Sequence, residues 1–280
     1  VAGETHFMGH DNHGAFLLRQ LADAGSEIQQ NALEAHGEAS GIAELAEQRI
    51  YSIRQGREIK GLSRLSEVIA DLYTELDERA RSDSEIPGMS TGFHALDKAL
   101  TGLNKSDLIL IAARPGMGKT AFALNMAMRA AVQDNVPVAI YSLEMSMDQL
   151  MMRMLCAWGK VDLGHLRRGY LDSEEWSRLY HAADVLGQAP IYIDDTPALS
   201  PLELRARTRR LKAESGVGLV MVDYLQLMRG SKRTDSREQE ISEISRSLKG
   251  LAKEMDIPVV ALSQLNRKLE ERTDKRPLLS

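Results

Sequence analysis

Lys119 and Thr120 are the residues of this chain whose neighbours best equip them for chemistry. They close the turn Arg114-Pro115-Gly116-Met117-Gly118, which follows the apolar run Leu108–Ala113 and precedes the Ala-rich segment AFALNMAMRAA. Strand, Gly-bearing turn, Lys-Thr and helix together form the layout of a phosphate-binding loop. Glycines let backbone N–H groups turn inward around an anion, and the helix N-terminus adds partial positive charge. A lysine ammonium there reaches the outer phosphates, and a threonine hydroxyl ligates Mg²⁺. Arg114, Pro115, Gly116, Met117, Gly118, Lys119, Thr120 and Ala121 are therefore the candidate nucleotide-binding residues, with Mg²⁺ as the implied companion of the phosphates. The full pattern G-x-x-x-x-G-K-[ST] asks for Gly where this chain has Ala113. The competing reading is an ordinary tight strand-to-helix turn.

Three more polar residues stand at the ends of apolar runs. Gly218-Leu-Val-Met-Val-Asp223 ends in a carboxylate, the form of a Walker B element whose Asp holds Mg²⁺; the alternative is an Asp that starts a turn. Glu144 follows PVAIYSL, where a carboxylate can orient and polarise an attacking water. Its alternative is a helix-start Glu favoured by the helix dipole. Gln264 follows PVVALS; a neutral amide there can sense a γ-phosphate and report its loss to nearby loops, or simply end a strand. The loops after Asp223 and Gln264 are basic. The first holds Arg229, Lys232, Arg233 and Arg237, and the second Arg267, Lys268, Arg272, Lys275 and Arg276. Such loops suit a nucleic-acid backbone, and a solvated loop is the alternative. The segment Leu204–Lys212 carries Arg205, Arg207, Arg209, Arg210 and Lys212 spread around a helix, which reads as a solvent or subunit face.

Positioning these residues requires a regular scaffold. Five apolar segments read as strands: Leu108–Ala113, Pro137–Leu143, Pro190–Asp194, Gly218–Asp223 and Pro258–Ser263. Helical segments alternate with them: Thr120–Gln133, Met147–Trp158, Glu174–Leu186, Pro201–Glu214 and Arg237–Met255. Ser200-Pro201-Leu202-Glu203 has the form of a capping box with Pro in the first turn, and Ser146 with Gln149 repeats the box. Apolar strands separated by helices predict an α/β fold, a mostly parallel sheet covered on both faces. Its ligand crevice lies at the strand ends.

Upstream, residues 1–13 hold His6, His10 and His13 at no recognisable ligand spacing and read as a disordered or extraneous end. Residues 14–60 read as two short helices, one with Leu17, Leu21, Ala24 and Ile28 on a face and one with Ile42, Leu45, Ala46, Ile50 and Ile53. Breaks fall at Gly37 and Ser40-Gly41. So short a helical segment cannot bury a large core and reads as an appendage or the remnant of a domain. A stronger apolar stripe spans Leu62 to Ala80 (Leu62, Leu65, Val68, Ile69, Leu72, Tyr73, Leu76), and the polar segment RSDSEIPGMSTG follows it. That stripe needs a surface, either on its own chain or on a neighbouring subunit.

Composition bounds the class. The chain has 280 residues, 43% apolar and 27% charged, with a net charge of −5, values ordinary for a globular protein. A single cysteine, Cys156, excludes an intrachain disulfide framework and reads as a core thiol. No apolar run approaches membrane-span length, and no signal peptide is visible in the residues given. The expectation is a cytoplasmic protein. The charge excludes a histone-like basic protein but leaves room for a locally basic nucleic-acid lining.

Taken in order, ARPGMGKTAFALN, YSLEMS, YIDD, LVMVDYLQLMRG, EISEISRSLKGLAKE and PVVALSQLNRKLEERTDKRP closely resemble the motor domain of the bacterial replicative DNA helicases, the DnaB family. The resemblance covers residues 86–280. The segment 61–85 looks like that family's linker helix and 14–60 like the end of its N-terminal helical domain. In the family the loop commonly reads A-R-P-x-M-G-K-T, so Ala113 is within pattern.

The resemblance implies a RecA-like P-loop NTPase core, a ring-shaped homohexamer and 5′→3′ unwinding of duplex DNA driven by ATP. It assigns Lys119 and Thr120 to the phosphates and Mg²⁺, and Asp223 to the Walker B acid. Glu144 activates water, and Gln264 couples hydrolysis to DNA loops. Single-stranded DNA, primase and a helicase loader are the implied partners, with Arg229, Lys232, Arg233, Arg272, Lys275 and Arg276 as candidate DNA contacts. The linker helix is expected to dock on the adjacent motor domain. The family's arginine finger falls beyond the position of Ser280. Two other readings share the fold: a RecA-like ATP-binding oligomerisation module without unwinding, and a strand-exchange recombinase, whose motifs are less similar.

Overall fold

A computed structural model of the chain describes residues 11–34, 39–54, 64–81, 86–230 and 236–265. The chain divides into two compact units, residues 1–83 and 84–280.

The first unit contains α1 (Asp11–Glu34), α2 (Ala39–Arg54) and α3 (Leu65–Arg81). α1 and α2 pack on each other, and Arg49 pairs with Glu27 at 3.0 Å. Among the described residues only Ala24 and Ile53 of this unit are buried apolar groups, whereas Leu18, Leu21, Leu33, Leu45 and Ile50 are exposed. Helices this few cannot enclose a core, as their length predicts. Two boundaries differ from expectation. α1 begins at Asp11, within the stretch 1–13 set apart as an extraneous end, and α2 contains Ser40-Gly41. A glycine inside a helix costs only about 1 kcal/mol relative to Ala, which good helix formers on either side outweigh. Gly37, His6 and His10 lie outside the described residues. α3 leaves its apolar stripe open: Leu65, Ile69, Leu72, Tyr73 and Leu76 are all exposed.

The second unit is an α/β domain. Its strands are β1 (Leu108–Ala113), β2 (Val138–Ser142), β3 (Ile191–Asp194), β4 (Leu219–Asp223) and β5 (Val259–Gln264). They pair in parallel in the order β1-β5-β4-β2-β3. Each strand lies within one residue of its expected bounds. The one-residue delay after Pro137, Pro190 and Pro258 follows from the missing proline N–H. Their carbonyls still serve the ladder, accepting from Gly218, Val138 and Val220 at 2.8, 2.9 and 3.2 Å. β2 and β4 are buried throughout, as central parallel strands should be. β1 is an edge strand and leaves Leu110 exposed.

The helices are α4 (His94–Leu100), α5 (Lys119–Gln133), α6 (Met147–Gly159), α7 (Leu163–Arg168), α8 (Ser173–Gln188), α9 (Pro201–Ser215) and α10 (Arg237–Met255), with a 3₁₀ turn at Leu225–Leu227. α4, α7 and the 3₁₀ turn are additions to the expected set; each is too short to show a helical period. α5 buries Leu124, Met126, Ala127, Met128 and Ala131 against Val138, Ile140, Leu219, Met221, Val260 and Leu262 of the sheet. Alternation along the strands sends the intervening residues to the other face. There Tyr141 shares a 2.9 Å hydrogen bond with Thr208 of α9, and burial pushes its phenol up to about 12. The capping box at Ser200 is present: its Oγ accepts from Glu203 N at 3.2 Å, and Glu203 Oε2 accepts from Ser200 N at 2.9 Å. Cys156 is buried, and burial raises its thiol pKa above the ordinary value.

α9 corrects one expectation. Two of its cations turn inward instead of joining a solvent or subunit face, while Arg207 and Arg210 stay exposed. Arg205 and Arg209 both pair with Glu254 of α10, and the Arg209 side chain is only 5% exposed. Arg207 pairs with Asp194, Arg210 with Glu214, and Lys212 Nζ donates to Val217 O at 2.9 Å. Glu254→Ala is expected to destabilise the domain by about 3 kcal/mol in urea unfolding, because it removes the carboxylate that pairs with a buried guanidinium. A loss below about 1 kcal/mol would show that the α9–α10 contact does not depend on this pair.

Candidate active site

The parallel strands bring four chosen positions to one edge of the sheet. Reading across it, β1 ends at Ala113 and leads into the glycine turn, β5 ends at Gln264, β4 at Asp223, and β2 at Ser142, two residues before Glu144. Ala113 is level with Gln264, and Ser142 with Asp223. β4 and β5 are in register at Val222 and Ala261, so Gln264 stands two residues, about 7 Å, further out than Asp223.

The glycine turn owes its shape to two left-handed residues, Gly116 at φ 76° and Gly118 at φ 83°. A Cβ at either would meet nothing within 4 Å, so backbone conformation rather than space requires glycine here. Gly118 directly precedes α5, and Arg114 to Gly118 are exposed to solvent. Lys119 and Thr120 turn inward. The Thr120 hydroxyl donates to Asp223 Oδ2 at 2.6 Å. Lys119 Nζ lies 3.8 Å from Asp223 Oδ1 and 4.4 Å from the centroid of the Tyr224 ring, a cation–π distance. Asp223 is buried, and its Oδ1 has no hydrogen-bond donor among the described residues. A buried carboxylate oxygen in this condition calls for a cation or an ordered water. The hydroxyl of Thr120 and Asp223 Oδ1, which faces the Lys119 ammonium at 3.8 Å without a hydrogen bond, are a donor set that fits a hydrated divalent cation.

Glu144 lies in a turn locked to the sheet. Leu143 N donates to Asp223 O at 2.7 Å; Ser142 Oγ donates to Met145 O at 2.6 Å and accepts from Met145 N at 3.2 Å. The Glu144 side chain is exposed beyond that turn. Burial, followed by the negative charges of Glu144 and Asp223, raises the Tyr224 phenol above its ordinary pKa. Tyr224 thus stays a neutral hydroxyl at neutral pH.

A family model for the DnaB-like helicase C-terminal domain matches residues 88–280. The chain belongs to that family. It is 45% identical to the replicative DNA helicase DnaB of Geobacillus stearothermophilus over 94% of its own length and 58% of the relative's. Identity to the replicative DNA helicase DnaC of Bacillus subtilis is 44%, with the same coverage. The DnaB-like chain thus spans a little over half the length of these relatives. Among solved structures, an isolated ATPase domain superposes with a TM-score of 0.72 at 37% identity, over 78% of this chain and 77% of that one. A DnaB-like replicative helicase studied with primase gives 0.70 at 33% identity, over 96% of this chain and 62% of that one. The DnaB-like domain therefore has the RecA-like fold of these neighbours, as the motif order implied.

Not every candidate of the DnaB-like domain falls at this edge within the described residues. Arg229 is described and exposed, and its backbone N–H donates to Leu199 O at 3.3 Å. Lys232, Arg233, Arg267, Lys268, Arg272, Lys275 and Arg276 lie outside the described residues. Tyr224, Gln226 and Glu240 escaped notice in the sequence because nothing in their spacing marks them. Arg237, named both in the first basic loop and as the start of a helical segment, is the first residue of α10.

Proposed function

We propose that this chain is the motor of a replicative DNA helicase, which hydrolyses ATP to move 5′→3′ along single-stranded DNA and part the duplex in replication. The observation that carries the reading is the convergence of Lys119, Thr120 and the half-satisfied Asp223 beneath a glycine turn, in a chain of this family.

In this reading, backbone N–H groups of Arg114–Ala121 wrap the phosphates and Lys119 swings its ammonium onto them. Thr120 and Asp223 hold Mg²⁺, which when bound neutralises charge developing on the transferred phosphoryl group. Glu144 orients the attacking water and takes its proton. Gln264 contacts the γ-phosphate from the neighbouring strand end. Basic residues of the loops after β4 and β5, among them Arg229, Lys232, Arg233, Arg272, Lys275 and Arg276, hold the strand by its phosphates, so binding is salt-sensitive and tolerant of sequence.

The assembly is a homohexamer, in which a second copy completes each site. The open stripe of α3 (Leu65, Ile69, Leu72, Tyr73, Leu76) supports docking on that copy, because a monomer gains nothing from exposing it. Primase and a helicase loader are the proposed partners, in the cytoplasm; no helix among the described residues is long and apolar enough to cross a membrane.

Strand displacement on a forked substrate by the full-length gene product tests the function. ATP-dependent displacement is expected, and none beside a competent control helicase sinks it. Leu72→Glu tests the assembly: sizing should shift from a ring to smaller species, and an unchanged ring would remove α3 from the interface.

A further inference from the structure

We infer that Gln226 is a positioning residue that joins the strand end bearing Gln264 to the stems of the basic loops, so that both stems respond together to the nucleotide. The inference rests on the motor function proposed above.

β4 ends at Asp223 and turns into the 3₁₀ helix, so the last residues of β5 lose their strand partner on that side. The side chain of Gln226 replaces it. Its Nε2 donates to Ser263 Oγ at 2.9 Å and to Gln264 O at 3.1 Å, and its Oε1 accepts from Gln264 N at 3.2 Å. A primary amide is the side-chain group that offers a donor and an acceptor in the geometry of a peptide unit. On the other side Leu265 N donates to Ala113 O at 3.1 Å. The end of β5 is thus held between the strand that feeds the phosphate loop and the carboxamide of Gln226.

The backbone of the same residue reaches the first basic loop. Gln226 O accepts from Arg237 Nη2, Arg237 pairs with Glu240, and Glu240 Oε1 accepts from Gly230 N at 2.8 Å. Gly230 and Ser236 flank the segment 231–235, which carries Lys232 and Arg233. A Cβ on Gly230 would lie 2.7 Å from Glu240 Cγ, so this approach depends on glycine. One residue therefore has its side chain on the stem of the second basic loop and its backbone on the stem of the first. Any shift of the Gln264 backbone must move Gln226 or break the two hydrogen bonds between them.

The test uses the full-length gene product and two equilibrium measurements. One is affinity for a fluorescent, non-hydrolysable ATP analogue without DNA. The other is the ratio of oligo-dT dissociation constants measured with ADP and with that analogue. For the unaltered protein a ratio of about tenfold is expected, within the usual range of coupling between sites. Gln226→Met keeps length and packing but removes the amide. It should bring the ratio to within about twofold of one, with analogue affinity changed less than about threefold and the melting midpoint retained. Arg237→Gln, at an exposed position, cuts the link to the first loop and should lower the ratio without unfolding the domain. A ratio preserved in both variants overturns the inference and leaves the motor function standing. Loss of analogue affinity in step with the ratio also overturns it, since Gln226 would then act on the phosphate site itself. A ratio of one in the unaltered protein overturns the motor function and the inference together.

Discussion

Glu144→Gln is expected to lower the ATP turnover number by about 10²–10⁴-fold, the span associated with loss of a general base, while analogue affinity stays within a few-fold. The substitution keeps size and hydrogen-bonding capacity but leaves no group able to accept the proton of the attacking water. The local geometry favours a chemical effect over a structural one. The turn bearing Glu144 is held by backbone and Ser142 contacts that do not involve its side chain, and that side chain is exposed. Tyr224, raised by burial and by the flanking carboxylates, stays protonated near neutral pH and offers no replacement base. Single-turnover hydrolysis with saturating ATP provides the measurement. A fall of less than about fivefold would return Glu144 to the role of a helix-start carboxylate.

Lys119→Ala should reduce hydrolysis by at least about 10²–10³-fold, the scale of losing one preorganised donor to developing transition-state charge, and should weaken nucleotide binding as well. The second effect would separate the two proposed roles, Glu144 acting on water and Lys119 contacting the phosphates in both ground and transition states. The Lys119 side chain is 10% exposed and directed at Asp223 and Tyr224, so its ammonium is already largely desolvated before it turns to the phosphates. Binding of the fluorescent analogue by Lys119→Ala at unaltered affinity would detach this lysine from the phosphate site.

The strands of the DnaB-like domain were legible because each is a short apolar run bounded by proline, glycine or a polar tip, as strands of a covered parallel sheet are. The glycine turn was legible because its two left-handed residues accept little else. Short elements were not. α4 and α7 have seven and six residues, less than two turns of periodicity. The helical wheel of α9 misled for a different reason. Five cations spread around a helix look solvated until Glu254, 49 residues from Arg205 and 45 from Arg209, is found beneath two of them.

The candidate site divides along the same line. Residue type and local spacing were enough to name Lys119, Thr120, Glu144, Asp223 and Gln264 as candidates, because phosphate binding and water activation call for such groups after a glycine turn or at strand tips. Spacing carries no information on which tips become neighbours. Sheet order β1-β5-β4-β2 decides that, and it brings Thr120 against an Asp223 that is 103 residues away in the chain. It also gives Gln226 its part, since an amide in a 3₁₀ turn gains a role only when β5 ends beside it. Long-range pairing is set by which apolar faces can be buried together, a property of the whole fold that no local window of residues contains.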